Sequence, residues 1–156
     1  MNKLAKIVML SSAIFIPQVA SATHAPPTGT LLGTNVYVEK GINFNCDLSV
    51  NINSSSSPNT ATIALTPGNP LCSLLQFNYG PYNMTMASEH SEPTIAPEDV
   101  EEVHIVTIHG VDVSTISAGD CAGDITGEWD GTTLWIDTTL PAKTAGNDCI
   151  VIGTAQ

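Results

Sequence analysis

The sequence predicts an all-β protein, an antiparallel sandwich or barrel of about seven to nine short strands stapled by disulfides. Apolar and polar residues alternate strictly over residues 42–52, which is typical of a strand with one buried face. The pair Asp130-Gly131 separates two β-rich segments and predicts a tight hairpin in which both residues have positive φ. Turn residues recur along the chain, whereas a helical periodicity is almost absent.

The first 22 residues have the pattern of a secretory signal peptide, so we expect export through the periplasm and removal of this segment. A basic start precedes a largely apolar run at 7–16, and residues 20–22 match an A-x-A cleavage signal. Residues 23–33, which are rich in proline and glycine, are expected to form a flexible leader. Residues 34–156 then form a single β domain, in an oxidising compartment or outside the cell.

The strands of this domain can be placed in order. A short strand at 36–38 precedes the alternating one, and residues 61–65 resume the alternation up to a turn at 67–70. The apolar segment 71–79 is expected to be partly buried. Residues 88–102 are the most polar stretch, and Pro97 is expected to start a single helical turn.

The second half of the chain is richer in strand signals. Residues 103–113 are β-rich, and residues 124–129 and 132–137 form the two arms of the Asp-Gly hairpin. Residues 149–152 close the chain as a last strand.

An even number of cysteines in an exported domain indicates two disulfides, for which three connectivities exist. The spacing favours Cys46–Cys72 and Cys121–Cys149, each closing one half of the domain. The chain has no C-x-x-C motif, which argues against a zinc ribbon or a thioredoxin-like redox site.

The charge of the chain excludes several classes of partner. The formal net charge is −11, and removing the signal peptide would make it two units more negative. Beyond the signal, Lys40 and Lys143 are the only strong bases, since the chain has no arginine. The chain therefore has too little positive charge to neutralise phosphates, and we exclude nucleic acids and anionic lipid head groups as partners. No apolar segment beyond the signal is long enough for a transmembrane helix.

Histidines and carboxylates are the candidate metal ligands of this chain. His104 and His109 are five residues apart on a strand and should point to opposite faces, so we interpret them and His90 as surface histidines. We predict no metal site and no cofactor. Four acidic residues around two turns offer oxygen ligands, but they lack the spacing of a calcium loop, so we expect at most weak Ca²⁺ association; they are Asp120, Asp124, Glu128 and Asp130.

The sequence offers no catalytic residues. It has no G-x-S-x-G motif, and its few aromatic residues would furnish a sugar-binding cleft poorly, so we expect a protein that is not an enzyme. Trp129 and Trp135 flank the hairpin. We interpret them mainly as side chains that cap the core, with an exposed contact for an apolar or sugar ligand as the alternative.

Several segments together resemble the PraB family, the secreted protein activators of alkane oxidation. They are G-I-N-F-N-C at 41–46, P-L-C-S-L-L at 70–75, D-C-A-G-D-I-T-G-E-W-D-G-T-T-L-W-I at 120–136, L-P-A-K at 140–143 and C-I-V-I-G at 149–153. The resemblance implies an extracellular, non-enzymatic protein linked to growth on hydrocarbons and to biofilms. It brings no catalytic residues, and the chain departs from the family in its acidic stretch at 88–102.

We therefore expect a secreted accessory protein at hydrocarbon–water or cell–matrix interfaces, which promotes alkane utilisation, biofilm formation or both. The alternative is a pilin-like or biofilm-fibre subunit that assembles by strand addition at an open sheet edge. Gly41 ahead of Phe44 and Cys46 in an early strand supports that alternative, whereas the penultimate Ala155 and the four cysteines do not.

Overall fold

A computed structural model describes residues 24–66, 70–116 and 119–156, and the expected signal peptide lies outside these ranges. The described residues form a short 3-10 helix at Pro70–Leu74 and nine β-strands. The strands are β1 (Gly29–Glu39), β2 (Asn43–Asn53), β3 (Asn59–Thr66), β4 (Leu75–Asn78), β5 (Tyr82–Ser91), β6 (Val103–Thr115), β7 (Cys121–Trp129), β8 (Leu134–Leu140) and β9 (Cys149–Ala155).

The strands form an antiparallel barrel. The order along the sheet is β4-β6-β5-β3-β2-β1-β9-β8-β7, and pairing of β6 with β7 closes eight of these strands on themselves. The remaining strand, β4, pairs with the last part of β6, on the same side of β6 on which β5 pairs with its first part. The expected all-β fold is confirmed, and of the two expected architectures the chain adopts the barrel. Strand β2, which the strand-addition alternative invoked, is paired with β1 on one side and β3 on the other.

The interior of the barrel is apolar because alternate residues of each strand point inward. In β2 the side chains of Phe44, Cys46, Leu48, Val50 and Ile52 are all buried, whereas the residues between them are exposed or half-buried. The predicted alternation is therefore confirmed from Phe44 to Ile52, whereas Ile42, the first residue of the predicted pattern, precedes β2 and is exposed. No helix in the described ranges has the length and apolar character needed to cross a membrane.

The two ends of the barrel differ, and we name each by its residues. Both favoured disulfides are formed, and the end that carries Cys46–Cys72, Cys121–Cys149 and the β1–β2 turn is called the disulfide end. The opposite end carries residues 24–28, the β5–β6 loop at 92–102 and the β7–β8 loop, together with the side chains of His24, His90 and His104. It is called the histidine end.

The first strand begins earlier than the sequence indicated. Residues 29–33 were expected in a flexible leader, but they form the start of β1, where Leu31 pairs with Val50. Leu31 is buried in the core, and the adjacent Leu32 exchanges two backbone hydrogen bonds with Gln156. The start of β1 is therefore set by the alternation of inward-facing side chains and not by the local proline and glycine content.

Two local predictions differ from the structure. Only Gly131 of the Asp-Gly pair has positive φ, and the hairpin loop has four residues because the Asp130 carboxylate accepts hydrogen bonds from the backbone N–H groups of Thr132 and Thr133. Near Pro97 the chain makes a turn, closed by the N–H of Val100, instead of a helical turn.

Strand β5 was not predicted at all. It is apolar only in its first half, where Tyr82 and Met84 are buried, and its second half consists largely of exposed polar residues. Its backbone is nevertheless paired with β6 up to Ser91. Tertiary pairing therefore extends a strand into a segment that lacks the side-chain pattern of one.

Candidate functional site

A small apolar void lies among the inward-facing side chains of the barrel. It has a volume of about 20 Å³ and is lined by residues of β1, β2, β3, β4, β6, β8 and β9, such as Val36, Leu48, Leu75, Val113 and Val151. This is about the room that one water molecule needs. Side chains fill the interior, as they commonly do in eight-stranded barrels. This void is too small for a long alkane, so exposed apolar side chains of the described residues are the better candidates for hydrocarbon contact.

Apolar side chains are exposed at the disulfide end, around a shallow groove of about 30 Å³. We call this surface the apolar rim and define it by Ile42, Phe44, Leu74, Leu75 and Ile116. The side chain of Ile42 is 56% exposed and that of Ile116 is 71% exposed, whereas Phe44 and Leu75 are buried beneath them. Two bulky aliphatic side chains therefore project into solvent from neighbouring loops.

The backbone beneath the rim is firmly held. The N–H of Lys40 donates to the carbonyl of Ile42 across the β1–β2 turn, and the N–H of Ile116 donates to the carbonyl of Leu74. The side chain of Lys40 is buried, and its ammonium donates to the carbonyl of Asn147 and to the sulfur of Cys121. These bonds fix the turn, so Ile42 is presented by a rigid loop.

Acidic residues are concentrated at the opposite end. Eight of the fifteen acidic residues lie in the loops and strand ends of the histidine end, namely Glu89, Glu92, Glu98, Asp99, Glu101, Glu102, Glu128 and Asp130. Both lysines of the described ranges, Lys40 and Lys143, lie at the disulfide end. The molecule is therefore polarised along the barrel axis, with its apolar rim and its densest negative charge at opposite ends.

One of these acids holds the acidic loop on the barrel. Glu128 is buried, and its carboxylate accepts four hydrogen bonds, from the backbone N–H groups of Thr94, Ile95 and Ala96 and from the hydroxyl of Thr94. Burial raises the pKa of Glu128, but the hydrogen bonds outweigh it and leave this pKa below its usual value. The carboxylate is therefore a structural anion that anchors residues 92–102.

The two tryptophans lie on opposite faces of the hairpin. Trp129 is buried in the core, and its ring N–H donates to the carbonyl of Ala25 at 2.9 Å. Trp135 is half-buried on the outer face, and its ring N–H donates to the Asp130 carboxylate at 3.1 Å. Trp129 therefore caps the core, and only Trp135 is placed where an external ligand would meet it.

The histidines separate as their spacing predicted, but they are not all surface residues. His104 is buried inside the barrel, whereas His109 lies on the outside with its Nδ1 3.1 Å from the Asp124 carboxylate. The interpretation of His104 as a surface histidine is therefore wrong. The side chain of His104 faces inward because it is in register with the buried apolar residues that alternate along β6.

The four acids that offered oxygen ligands for calcium are bonded to the chain itself, and one of them, Glu128, is buried. Asp120 accepts from the N–H of Thr115, and Asp124 accepts from the N–H of Gly110, which lowers the pKa of Asp124. Burial raises the pKa of Asp130, but hydrogen bonds from its own loop lower it below the usual value. Within the described ranges no three histidine, cysteine or acidic side chains are arranged to hold a metal ion.

Comparison with protein families adds the functional context. The model of the alkane oxidation protein activator PraA/PraB-like family matches residues 1–156, the whole chain. The chain belongs to this family. No curated protein and no solved structure matches the chain significantly.

The family description names an activator of alkane oxidation, which implies a role other than catalysing the oxidation itself. Sequence reasoning singled out Trp129 and Trp135 but missed the apolar rim. The rim could have been suspected from the positions of Ile42 and Ile116, because both are isolated aliphatic residues next to turn residues at strand ends. Nothing in the sequence, however, indicates that their two loops meet at one end of a barrel.

Proposed function

We propose that the protein is a secreted accessory factor, with no catalytic step of its own, that adsorbs at hydrocarbon–water or cell–matrix interfaces through the apolar rim. By doing so it promotes alkane utilisation, biofilm formation or both. Family membership supports the link to alkane oxidation. The observation that carries the proposal is the axial polarity of the barrel, with exposed Ile42 and Ile116 at one end and the acidic loop at the other.

The two ends of the barrel differ in whether contact with oil or with water is more favourable. Transferring the exposed part of each isoleucine side chain from water into oil is favourable by about 1–2 kcal/mol. The acidic end has the opposite preference, because unpaired carboxylates lose hydration in an apolar medium. An adsorbed molecule would therefore stand with the disulfide end toward the oil. Its acidic end would face water and give coated droplets or cells a negative surface that repels other coated surfaces.

The filled barrel supports adsorption over carriage of single alkane molecules. A carrier would need an enclosed apolar space, and the interior void of about 20 Å³ is far too small for a long alkane. The exposed rim requires no opening of the barrel to make contact. It also rests on a backbone that the Cys121–Cys149 disulfide and Lys40 stabilise, so adsorption need not unfold the protein.

The test measures adsorption of the purified protein to hexadecane droplets by depletion from the aqueous phase and by pendant-drop interfacial tension. Changing both Ile42 and Ile116 to serine removes the aliphatic part of the rim. We expect adsorption to weaken about tenfold or more, because roughly 2–4 kcal/mol of transfer free energy is lost.

The matched control is the double change Leu32→Ser and Ile152→Ser. These two side chains are also exposed, at 58% and 41%, but they lie on β1 and β9 on the wall of the barrel, outside the rim. We expect this control to adsorb nearly as well as the unchanged protein. If the unchanged protein does not adsorb, or if both double variants lose adsorption equally, the rim is not the contact surface.

A second experiment tests the biological role. A deletion strain is grown on a long-chain alkane with the purified protein, the rim variant or no addition. We expect the unchanged protein to restore growth and the rim variant to restore it poorly. Normal growth of the deletion strain without any addition would contradict a role in alkane utilisation and leave biofilm formation as the function to measure.

A further inference from the structure

Three histidine rings meet at the histidine end of the barrel. The ring of His104, on β6, lies 4.4 Å from that of His90 on β5 and 5.8 Å from that of His24, measured between ring centroids. His24 comes from the segment ahead of β1, and its ring rests on Gly131, where a side-chain Cβ would lie 2.8 Å from it. Three separate elements thus bring an imidazole to one place.

Each ring has a buried nitrogen without a hydrogen-bond partner. These atoms are Nδ1 of His24, Nδ1 of His90 and Nε2 of His104. Leaving a buried polar atom unpaired is unfavourable, and three such atoms in adjacent side chains are unusual in a folded protein. Nδ1 of His24 and Nε2 of His104 thus have no partner in the described residues, whereas Nδ1 of His90 has the Glu102 carboxylate nearby, outside hydrogen-bonding geometry.

The partners of these rings resemble those of metal-bound histidines. Nδ1 of His104 lies 2.9 Å from the carbonyl oxygen of Ala87, which can only accept, so this nitrogen carries a proton and donates it. In neutral His104 the unpaired Nε2 is then the atom with a free lone pair. His90 has the Glu102 carboxylate 3.4 Å from its Nδ1, so with that carboxylate behind the ring His90 would ligate an ion through Nε2. A carbonyl or carboxylate behind the ring commonly orients a ligating histidine.

The ring separations also suit a shared ion. A Zn–N distance of about 2.0–2.1 Å in tetrahedral geometry places the centroids of two ligating imidazoles about 5 Å apart. The observed separations of 4.4 and 5.8 Å lie on either side of that value. Two of the three ring separations are therefore compatible with a shared ion, but the donor atoms must first turn toward it, because no three in the described ranges are arranged to hold one.

We propose that His24, His90 and His104 bind one divalent transition-metal ion of the kind that prefers imidazole, such as Zn²⁺ or Cu²⁺. Binding requires the rings to turn about χ2, a torsion with broad minima, and leaves the backbone in place. His24 lines an open depression of about 500 Å³, so an ion would approach the cluster from solvent on the His24 side. Calcium is not a candidate at this cluster, because that ion takes oxygen ligands.

The site would have a structural consequence. A bound ion would tie residue 24 to β5 and β6, in addition to the hydrogen bond that joins Ala25 to Trp129. It would thus link separate elements at the histidine end, as the disulfides do at the disulfide end. Because an ion that binds only the folded state stabilises it, metal should raise the melting temperature.

The test is calorimetric titration of tag-free protein, with His24 confirmed by mass spectrometry, using Zn²⁺ alone and Cu²⁺ alone. We expect one equivalent to bind with a dissociation constant of about 1 µM or tighter. His24→Ala and His90→Gln should each weaken binding about tenfold or more. Metal-edge X-ray absorption on the unchanged protein should show three imidazole ligands, a readout that needs no variant.

His109→Ala is the matched control, because it removes one histidine that lies on the outer wall beside Asp124. We expect it to bind metal like the unchanged protein, whereas loss of affinity equal to that of His24→Ala would assign the binding elsewhere. An absence of saturable binding, or an absorption spectrum with oxygen ligands only, would overturn the proposal. Circular dichroism of each variant separates loss of a ligand from loss of fold.

Discussion

At the disulfide end of the barrel two covalent bonds join strands and loops, whereas at the histidine end the loops are held by hydrogen bonds to Glu128 and by packed histidine rings. Lys40 is buried at the first end, and a carboxylate is buried at the second. The first end exposes isoleucines, and the second exposes most of the acidic residues. The loops at the two ends of the barrel are thus held by different interactions, covalent at one end and noncovalent at the other.

The difference predicts which conditions affect each end. A disulfide is insensitive to pH over the range in which proteins stay folded but is broken by reduction. A buried carboxylate that is hydrogen-bonded only when ionised responds to acid and not to reductant. Reduction should therefore loosen the end that carries the apolar rim, and acid should loosen the end that carries residues 92–102.

The largest expected effect is loss of a disulfide. Changing both Cys121 and Cys149 to alanine should lower the free energy of unfolding by about 3.5 kcal/mol, because the bond closes a loop with a sequence separation of 28 residues. Urea denaturation measures the change. The corresponding pair, Cys46 and Cys72, has a separation of 26 and should give a similar loss.

Hydrogen exchange of the same double variant tests whether the ends are independent. Amides of the 92–102 loop that are bonded to Glu128 should keep their protection relative to global unfolding, while those near Lys40 and Asn147 should exchange faster. An equal loss of protection at both ends would mean that the barrel opens as one unit.

The next effect is loss of the buried anion. Glu128→Gln should lower the free energy of unfolding by about 2 kcal/mol, because an uncharged amide has one acceptor oxygen for four donors. Glu98→Gln is the control in the same loop, since Glu98 is exposed, and it should change stability by no more than about 0.5 kcal/mol. A loss of equal size in both variants would show that net charge, and not the anchored carboxylate, is responsible.

The pH dependence of Glu128 has a definite sign. Its pKa in the folded protein lies below the ordinary value of 4.5, so its contribution to stability is complete above that pH. It is lost as the pH falls below 4.5 and passes through the lower pKa of the folded state. The stability difference between the unchanged protein and Glu128→Gln should therefore shrink in that window, and a difference that stays constant on acidification would contradict the assignment.

The smallest effect concerns the segment ahead of β1. Trp129→Phe keeps most of the buried ring but removes the hydrogen bond to Ala25, so stability should fall by about 1 kcal/mol. Trp135→Phe is the control on the outer face of the same hairpin and should cost less. Urea denaturation measures both variants. A larger loss of unfolding free energy for the Trp135 variant would place the stabilising tryptophan contact on the outer wall.

Much of the fold could be predicted because one strand face is apolar at every second residue. The pattern from Phe44 to Ile52 predicted the β class, and the spacing of the cysteines favoured, among three possible connectivities, the pairing that is formed. The start of β1 and the whole of β5 were missed, because their pairing partners are distant in sequence and their own composition is polar or turn-like.

The candidate sites could be predicted less well than the fold. The apolar rim requires the β1–β2 turn and the end of β6 to meet at one end, and the histidine cluster requires three elements separated by many residues to converge. No short motif encodes either juxtaposition. His24 in particular lies in the segment that composition assigns to a leader, so its place beside His104 is a property of the folded chain alone.

The position of the two described lysines also bears on how the protein responds to trypsin-like proteases. Trypsin-like proteases cut after lysine or arginine; the chain has no arginine, and Lys40 is buried. Lys143 is exposed in the β8–β9 loop, the kind of site where nicking occurs. It lies between Cys121 and Cys149, so after a cut at that position the two pieces remain covalently joined. In the described ranges, the accessible tryptic site is thus one whose cleavage does not release a fragment.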